Sequence, residues 1–369
     1  MTTYGKNLKI SIYGGSHDPE IGVYAENLPA GIRIDTEVLQ QFMGRRAPGK
    51  NKFSTQRKEG DVPVFLAGTE KVSETELVTN GQPLRAVIYS SNMRSGDYSS
   101  LHDIPRPSHA DFAARMKYGD AVDLRGGGHF SGRLTAPLCI AGGICLQYLR
   151  TMGIRIGAHI WSIGGIRDIP FDPLSPDPAL FDRIAAKEFP AIDDGAEEKM
   201  RALIEEARLD CDSVGGVIEC AAAGIPAGLG EHMFDGMEGL ISAMVFSIPA
   251  VKGIEFGLGF GSSLLRGSEN NDPFITDGTA IRTVTNNCGG ILGGMTDGMP
   301  LVFRAAMKPT PSIGKEQDSV NLRTMENVKL TIQGRHDPCV VPRAVPVMEA
   351  ALAIVLCDTL LDGKKEAEA

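Results

Sequence analysis

The sequence predicts an α+β fold in which mainly antiparallel sheets pack around buried helices, and three observations carry that reading. Strand-like segments come in runs instead of alternating one by one with helices, as a doubly wound parallel sheet would require. The segment from Val345 to about Leu361 is apolar on nearly every face, which marks an interior helix. The stretch "SGRLTAPLCIAGGICLQYLRTMG" has helical character and many small residues, which allow close approach to neighbouring layers. With no internal repeat or low-complexity linker, residues 1–369 are expected to form a single domain.

Taken in order, "LKISIYGGSH" reads as a strand ending in a glycine turn, and "IGVYAENLP" as a second strand. "DTEVLQQFMGRR" is a short helix capped by Asp35. "VPVFLAG" and "LRAVIYSS" alternate like strands, and "HADFAARMKYG" is a helix that stops at Gly119. After the small-residue helix, "IRIGAHIWSIGGI" is a strand, and Pro170 to Arg208 is a periphery of loops and helices. "VGGVIECAAAGIP" returns to strand and "HMFDGMEGLISAMVFSIP" to helix; after the glycine-rich "VKGIEFGLGFGSS" two further strands follow as "TAIRTVTNN" and "PLVFRAAMK".

Composition narrows the function. The chain carries a formal charge of −9, which argues against a broad nucleic-acid-binding surface. Positive charge is nevertheless dense in "GRRAPGKNKFSTQRKEGD", which holds Arg45, Arg46, Lys50, Lys52, Arg57 and Lys58 against only Glu59 and Asp61. Such a loop suits a small anionic ligand as well as a solvated surface. The seven cysteines form no CxxC pair, so neither a disulfide framework nor a zinc site is indicated, and a reducing cytoplasm fits. The N-terminus lacks a signal-peptide layout, and the apolar run from Ala344 to Leu361 is broken by Pro346, Glu349 and Asp358, so no membrane segment is expected.

The standard catalytic motifs fail. No phosphate loop is present, "GLGFGSS" does not complete G-x-G-x-x-G, and the histidines lack HExxH spacing. What remains is a set of polar, glycine-flanked loops: "GGSHD", the basic loop, "RPSHADF", "DLRGGGHFSGR", "TNNCGGILGG", "MKPTPSI" and "GRHDP". Each offers backbone N–H groups, a cation or an imidazole, and together they could line one anion pocket.

In wording and order these loops resemble the chorismate synthase family. "RPSHAD", "KYG", "RGGG", "DSVGG", "PAGLGE", "SIPAVKGIEFG", "NNCGGILGG", "KPTPSI" and "GRHDPCVVPRAVPVMEA" carry the resemblance from Gly14 to about Asp358. It implies a β-α-β sandwich, a homotetramer, and a cytoplasmic lyase of the shikimate pathway for aromatic amino acids. The implied reaction is a 1,4-anti elimination of phosphate from 5-enolpyruvylshikimate 3-phosphate, giving chorismate, with reduced FMN required and no net oxidation. NADPH would enter only as a source of reducing equivalents, through this chain or a separate flavin reductase.

The same resemblance implies roles by position. His17 would protonate the leaving phosphate, His109 would stabilise charge on the flavin, and Asp337 would assist proton removal. Ser16, Arg45, Arg46, Arg133 and Arg335 would hold the substrate. Arg46, Lys52, His129, Phe130, Ser131, Pro249, Ala250, Gly293, Lys308, Pro309, Thr310, Pro311, Ser312 and Arg335 would meet the cofactor, and no metal is implied. Arg335 beside Asp337 would favour the ionised carboxylate. The family commonly reads R-P-G-H-A-D and R-G-G-G-R-S-S-A-R-E-T; here Ser108 replaces a glycine, His129 an arginine and Phe130 a serine. An FMN-dependent relative that acts on, or only binds, another phosphorylated cyclic acid is the alternative.

Overall fold

The computed structural model describes residues 2–49, 60–90, 103–332 and 337–368, with side chains as far as residue 362. Two five-stranded antiparallel sheets form its outer layers. The first runs in the order Thr2–Tyr4, Lys9–Tyr13, Glu20–Glu26, Leu84–Tyr89 and Val64–Ala67. The second runs Ile166–Arg167, Arg155–Ile163, Gly216–Ala223, Leu301–Met307 and Val251–Phe256.

Between the sheets lie the two helices that the sequence marks as interior, Thr135–Thr151 and Val341–Glu368. The first packs on the N-terminal sheet, the second on the other sheet, and they pack on each other. Small residues make this possible: a Cβ on Gly142 would stand 2.3 Å from the Cβ of Ala350, and one on Gly143 would stand 2.5 Å from Leu39 Cδ1. The core is continuous through both interfaces, with Ile140, Ile144, Leu352 and Leu356 buried. The C-terminal helix is long and apolar enough to cross a membrane, but most of that stretch is enclosed by the protein.

Charged groups fasten the layers where they are paired. Asp358, late in the C-terminal helix, accepts backbone N–H bonds from Asn7 and Leu8 at 2.7 Å each, tying the first sheet's entry to the central layer. Glu349 receives Arg45 in a bidentate pair at 2.5 and 2.7 Å and also the backbone N–H of Ala158 at 3.1 Å.

Two sequence expectations need correction. The C-terminal helix begins at Val341 instead of Val345 and runs through Pro346, which forfeits one helical bond that the buried packing of Val345, Val347 and Met348 offsets. "VKGIEF", to which the sequence assigns no element, is an edge strand: Gly253 and Gly257 weaken the strand pattern, while pairing with Leu301–Met307 restores it. Helix Thr36–Arg46 is capped by Asp35 as its sequence indicates, the carboxylate accepting from Glu37 and Val38.

Candidate active site

A cavity of about 620 Å³ opens where the loops "RPSHAD", "RGGGHFSGR", "SIPAVK" and "MKPTPS" meet the start of the C-terminal helix. The glycines of Arg125–Phe130 shape one wall. Gly126, Gly127 and Gly128 all hold positive φ, and a Cβ on Gly128 would fall 2.0 Å from the carbonyl oxygen of Asp123. The same loop gathers both implied catalytic histidines. A Cβ on Gly126 would stand 3.2 Å from His17 Cε1, and one on Gly127 would stand 3.4 Å from His109 Nε2.

Cations at the cavity are held by buried carboxylates. Asp61 receives Arg46 Nη1 at 2.5 Å and also pairs with Arg133. Arg46 is oriented further by bonds to Thr135 Oγ1 at 3.1 Å and to the Gly132 carbonyl at 3.0 Å. Burial disfavours the Asp61 carboxylate, but the two guanidiniums outweigh it and hold its pKa below the ordinary value. Asp337 pairs with Arg343, which also donates to the Arg46 carbonyl at 3.0 Å. Burial pulls the Arg343 pKa down and Asp337 works against that pull. Burial, and then neighbouring Lys252, lower the pKa of Lys308.

Arg46, Arg106, Arg133, Lys252, Lys308 and Arg343 line the cavity, whereas the carboxylates paired with them are Asp61, Asp111 and Asp337. Positive charge is in surplus, so the cavity is built to receive an anion. Two lining residues, Ser108 and Ala250, hold left-handed φ values of 57° and 74°. Such strain gathers where surrounding structure fixes a functional surface.

Most residues assigned by resemblance meet here. Ser16, Arg46, His109, Arg133 and Asp337 line the cavity, as do His129, Phe130 and Ser131. Pro249, Ala250, Lys308, Thr310, Pro311 and Ser312 line it from the second sheet's side. His129 Nδ1 lies 2.7 Å from the Gly14 carbonyl, so it also joins the glycine loop to "GGSHD".

The remaining assignments fall elsewhere. His17 is buried against Gly126 and is not itself part of the lining. Arg45 is absent from the lining because Glu349 takes its guanidinium, and Pro309 is also absent. Gly293 belongs to a hairpin turn beside the N-terminus of helix Met237–Phe246, whose other end reaches the cavity. That helix spans roughly 15 Å, so Gly293 is remote from the cavity within one chain. Lys52 and Arg335 lie outside the described residues.

Sequence reasoning missed Asp61, Arg106, Asp111 and Arg343. Asp61 was set aside as a minor counter-charge to the basic loop, yet it organises two of the arginines. The spacing of Arg106, His109 and Asp111 in "RPSHAD" was an available signal for the second cluster.

Comparisons with known proteins converge on one family. The profile of the family described as chorismate synthase matches residues 8–361. Chorismate synthase of Lancefieldella parvula is 46% identical, with 99% of this chain and 97% of that protein covered. The enzyme of Thermococcus kodakarensis is 44% identical, with 97% of each chain covered. A crystal structure of chorismate synthase superposes with a TM-score of 0.75 at 28% identity, covering 98% of this chain and 93% of the other.

The chain belongs to the chorismate synthase family.

Chorismate synthases form chorismate in the shikimate pathway, and membership makes this chain an enzyme with a general flavin requirement. The cavity suits such a group. Its volume falls within the roughly 300–1,000 Å³ usual for pockets that enclose a cofactor-sized ligand. Thr310 Oγ1, on a lining residue, is buried without a partner among the described residues, an open polar position that a bound group can satisfy.

Proposed function

We propose that this enzyme eliminates phosphate from 5-enolpyruvylshikimate 3-phosphate by the 1,4-anti route, using reduced FMN, and releases chorismate. The observation that carries the reading is the cationic surplus of a cavity that also presents His109 and Asp337. A substrate with two carboxylates and a phosphate needs several cations, and arginines bind such oxygens bidentately. Arg46 and Arg133, oriented by Asp61, hold substrate oxygens; Lys308 and Lys252 hold a second anionic group, the flavin phosphate.

When bound, reduced FMN supplies electron density that weakens the allylic C–O bond. The protein's own groups handle protons and charge. His17, packed with Ser16 behind Gly126, delivers a proton toward the departing phosphate oxygen, while His109 would steady charge at the flavin's edge. Asp337, paired with Arg343 at the cavity wall, accepts the proton that leaves substrate carbon. NADPH enters only as a source of reducing equivalents for the flavin, through this chain or a separate flavin reductase.

A homotetramer in the cytoplasm completes the proposal. Phe234, Phe260 and Leu264 are 90%, 85% and 86% exposed, apolar area of the kind that subunit contacts cover. The test is an anaerobic assay with chemically reduced FMN and 5-enolpyruvylshikimate 3-phosphate. Chorismate and one equivalent of phosphate are expected; substrate binding without either product overturns the proposal.

A further inference from the structure

The least explained polar cluster at the cavity joins Arg106, His109 and Asp111. Asp111, the first residue of helix Asp111–Tyr118, is buried, and its oxygens have distinct partners. Oδ2 accepts Arg106 Nε at 2.7 Å and the Arg106 backbone N–H at 3.0 Å. Oδ1 accepts Arg106 Nη2 at 2.8 Å and lies 2.6 Å from His109 Nδ1.

Arg106 Nη2 is also 3.1 Å from that ring nitrogen, so the two contacts make opposite demands on it. If Nδ1 accepted from Arg106, its lone pair would face a carboxylate oxygen at 2.6 Å. Two electron-rich atoms do not persist at that separation, whereas a charge-assisted N–H···O bond has about that length. Nδ1 therefore carries the proton, and Nε2 is left toward Gly127 at the cavity wall.

We infer that Asp111 is a positioning residue: held by Arg106, it fixes the Nδ1–H form of His109 and aims Nε2 at the bound cofactor. The reason for aiming the ring rests on the function proposed above, while the proton's position does not. The carboxylate thus orients the imidazole as the aspartate of a hydrolase triad does.

Asp111→Asn tests the assignment because the bond network selects its amide orientation. An NH2 group in place of Oδ2 would confront two Arg106 donors; in place of Oδ1 it would confront one and would donate to His109. The variant should place its amide against Nδ1 and drive the ring proton to Nε2.

Magic-angle-spinning ¹⁵N spectra of histidine-labelled full-length protein, with His109→Gln to assign the signal, read the tautomer directly. The wild type should show Nδ1 protonated across the neutral range, and Asp111→Asn should show an unprotonated Nδ1. In the anaerobic assay the variant should lose kcat on the order of a hundredfold with KM little changed. An unprotonated Nδ1 in the wild type overturns the inference even if the variant fails to fold. So does an unmoved proton in the variant, or a moved proton with undiminished kcat. A wild type that makes no chorismate overturns the proposed function instead, and the spectra then decide the role of Asp111.

Discussion

Two regions of this molecule bury cations against carboxylates, and they end differently. Across the second sheet, His159, Glu219, Arg304 and Glu255 stand opposite one another in register on adjacent strands. His159 is fully buried between Asp168 and Glu219 at 3.0 Å each, and Arg304 reaches Glu219 at 2.9 Å and Glu255 at 3.5 Å. Each positive group there meets a carboxylate and none lines the cavity. At the cavity, Asp61 is divided between two arginines, and Lys252 and Lys308 add further positive charge. Paired burial alone therefore says nothing about function; a surplus of one sign facing an open volume does.

The sharpest way to break this contrast is to damage the closed ladder. Glu219→Ala takes one of two carboxylate partners from buried His159 and from half-buried Arg304, and leaves without its acceptor the Phe171 N–H, which donates to Glu219 at 2.7 Å. Unfolding stability should fall by about 3–5 kcal/mol. In the fraction that stays folded, kcat/KM should remain within about threefold of the wild type, as for a site with no shared partners. Denaturant melts and kinetics on one preparation check both, and a large kinetic loss would show that the ladder belongs to the active site.

Arg133→Ala should do the reverse. Asp61 keeps Arg46 as a partner, so stability should fall by less than for Glu219→Ala, while kcat/KM for the phosphorylated substrate should fall about a hundredfold or more, the usual loss when a buried charged contact goes. Unchanged kcat/KM would mean that the surplus charge is not directed at substrate.

How far the sequence disclosed these regions follows from the range of each signal. Local signals were legible: the Asp35 cap, the Gly119 stop and the small-residue face of helix Thr135–Thr151 all appear where the pattern puts them. The glycine-marked loops were legible as a group, since family wording fixes their positions. Pairing was not, because Asp61 meets Arg133, and Arg45 meets Glu349, across many residues of chain. No periodicity records which of two adjacent arginines turns toward the cavity and which toward the core. The small-residue reading has its own test: Gly142→Ala pushes a methyl against Ala350 and should cost about 1–3 kcal/mol, seen as a lowered denaturation midpoint.

A smaller effect separates the two regions by pH. Burial works against the His159 imidazolium, but Asp168 and Glu219 prevail and raise its pKa above 6.5. A raised folded pKa contributes stability that is complete below the unfolded value and is lost as pH climbs through the folded one. Stability should therefore decline on the alkaline side, by no more than about 1.4 kcal/mol per pH unit for this one proton. His159→Gln should flatten that limb. Asp61, whose folded pKa is depressed, acts at the other end: its contribution is present above about pH 4 and fades as pH falls further. Arg133→Ala should alter the acidic limb and leave the alkaline one intact.

The smallest expected effect lies at Ser108, where the cavity's demand on the backbone is visible in a single residue. Its φ of 57° is one that glycine adopts freely and that costs another residue about 1–2 kcal/mol. Lys308 Nζ donates to the Ser108 carbonyl at 2.5 Å, so the strained turn also anchors a lining cation. Ser108→Gly removes the strain but gives the unfolded chain about 0.5–1 kcal/mol of extra backbone entropy to lose, leaving a gain of roughly 0.5 kcal/mol. Thermal melts should show a slight rise, and the KM for reduced FMN should stay the same because the carbonyl that holds Lys308 keeps its place. A clear loss of stability would show that the serine side chain supports the turn, and that the strain at this wall is offset locally and not by the surrounding fold.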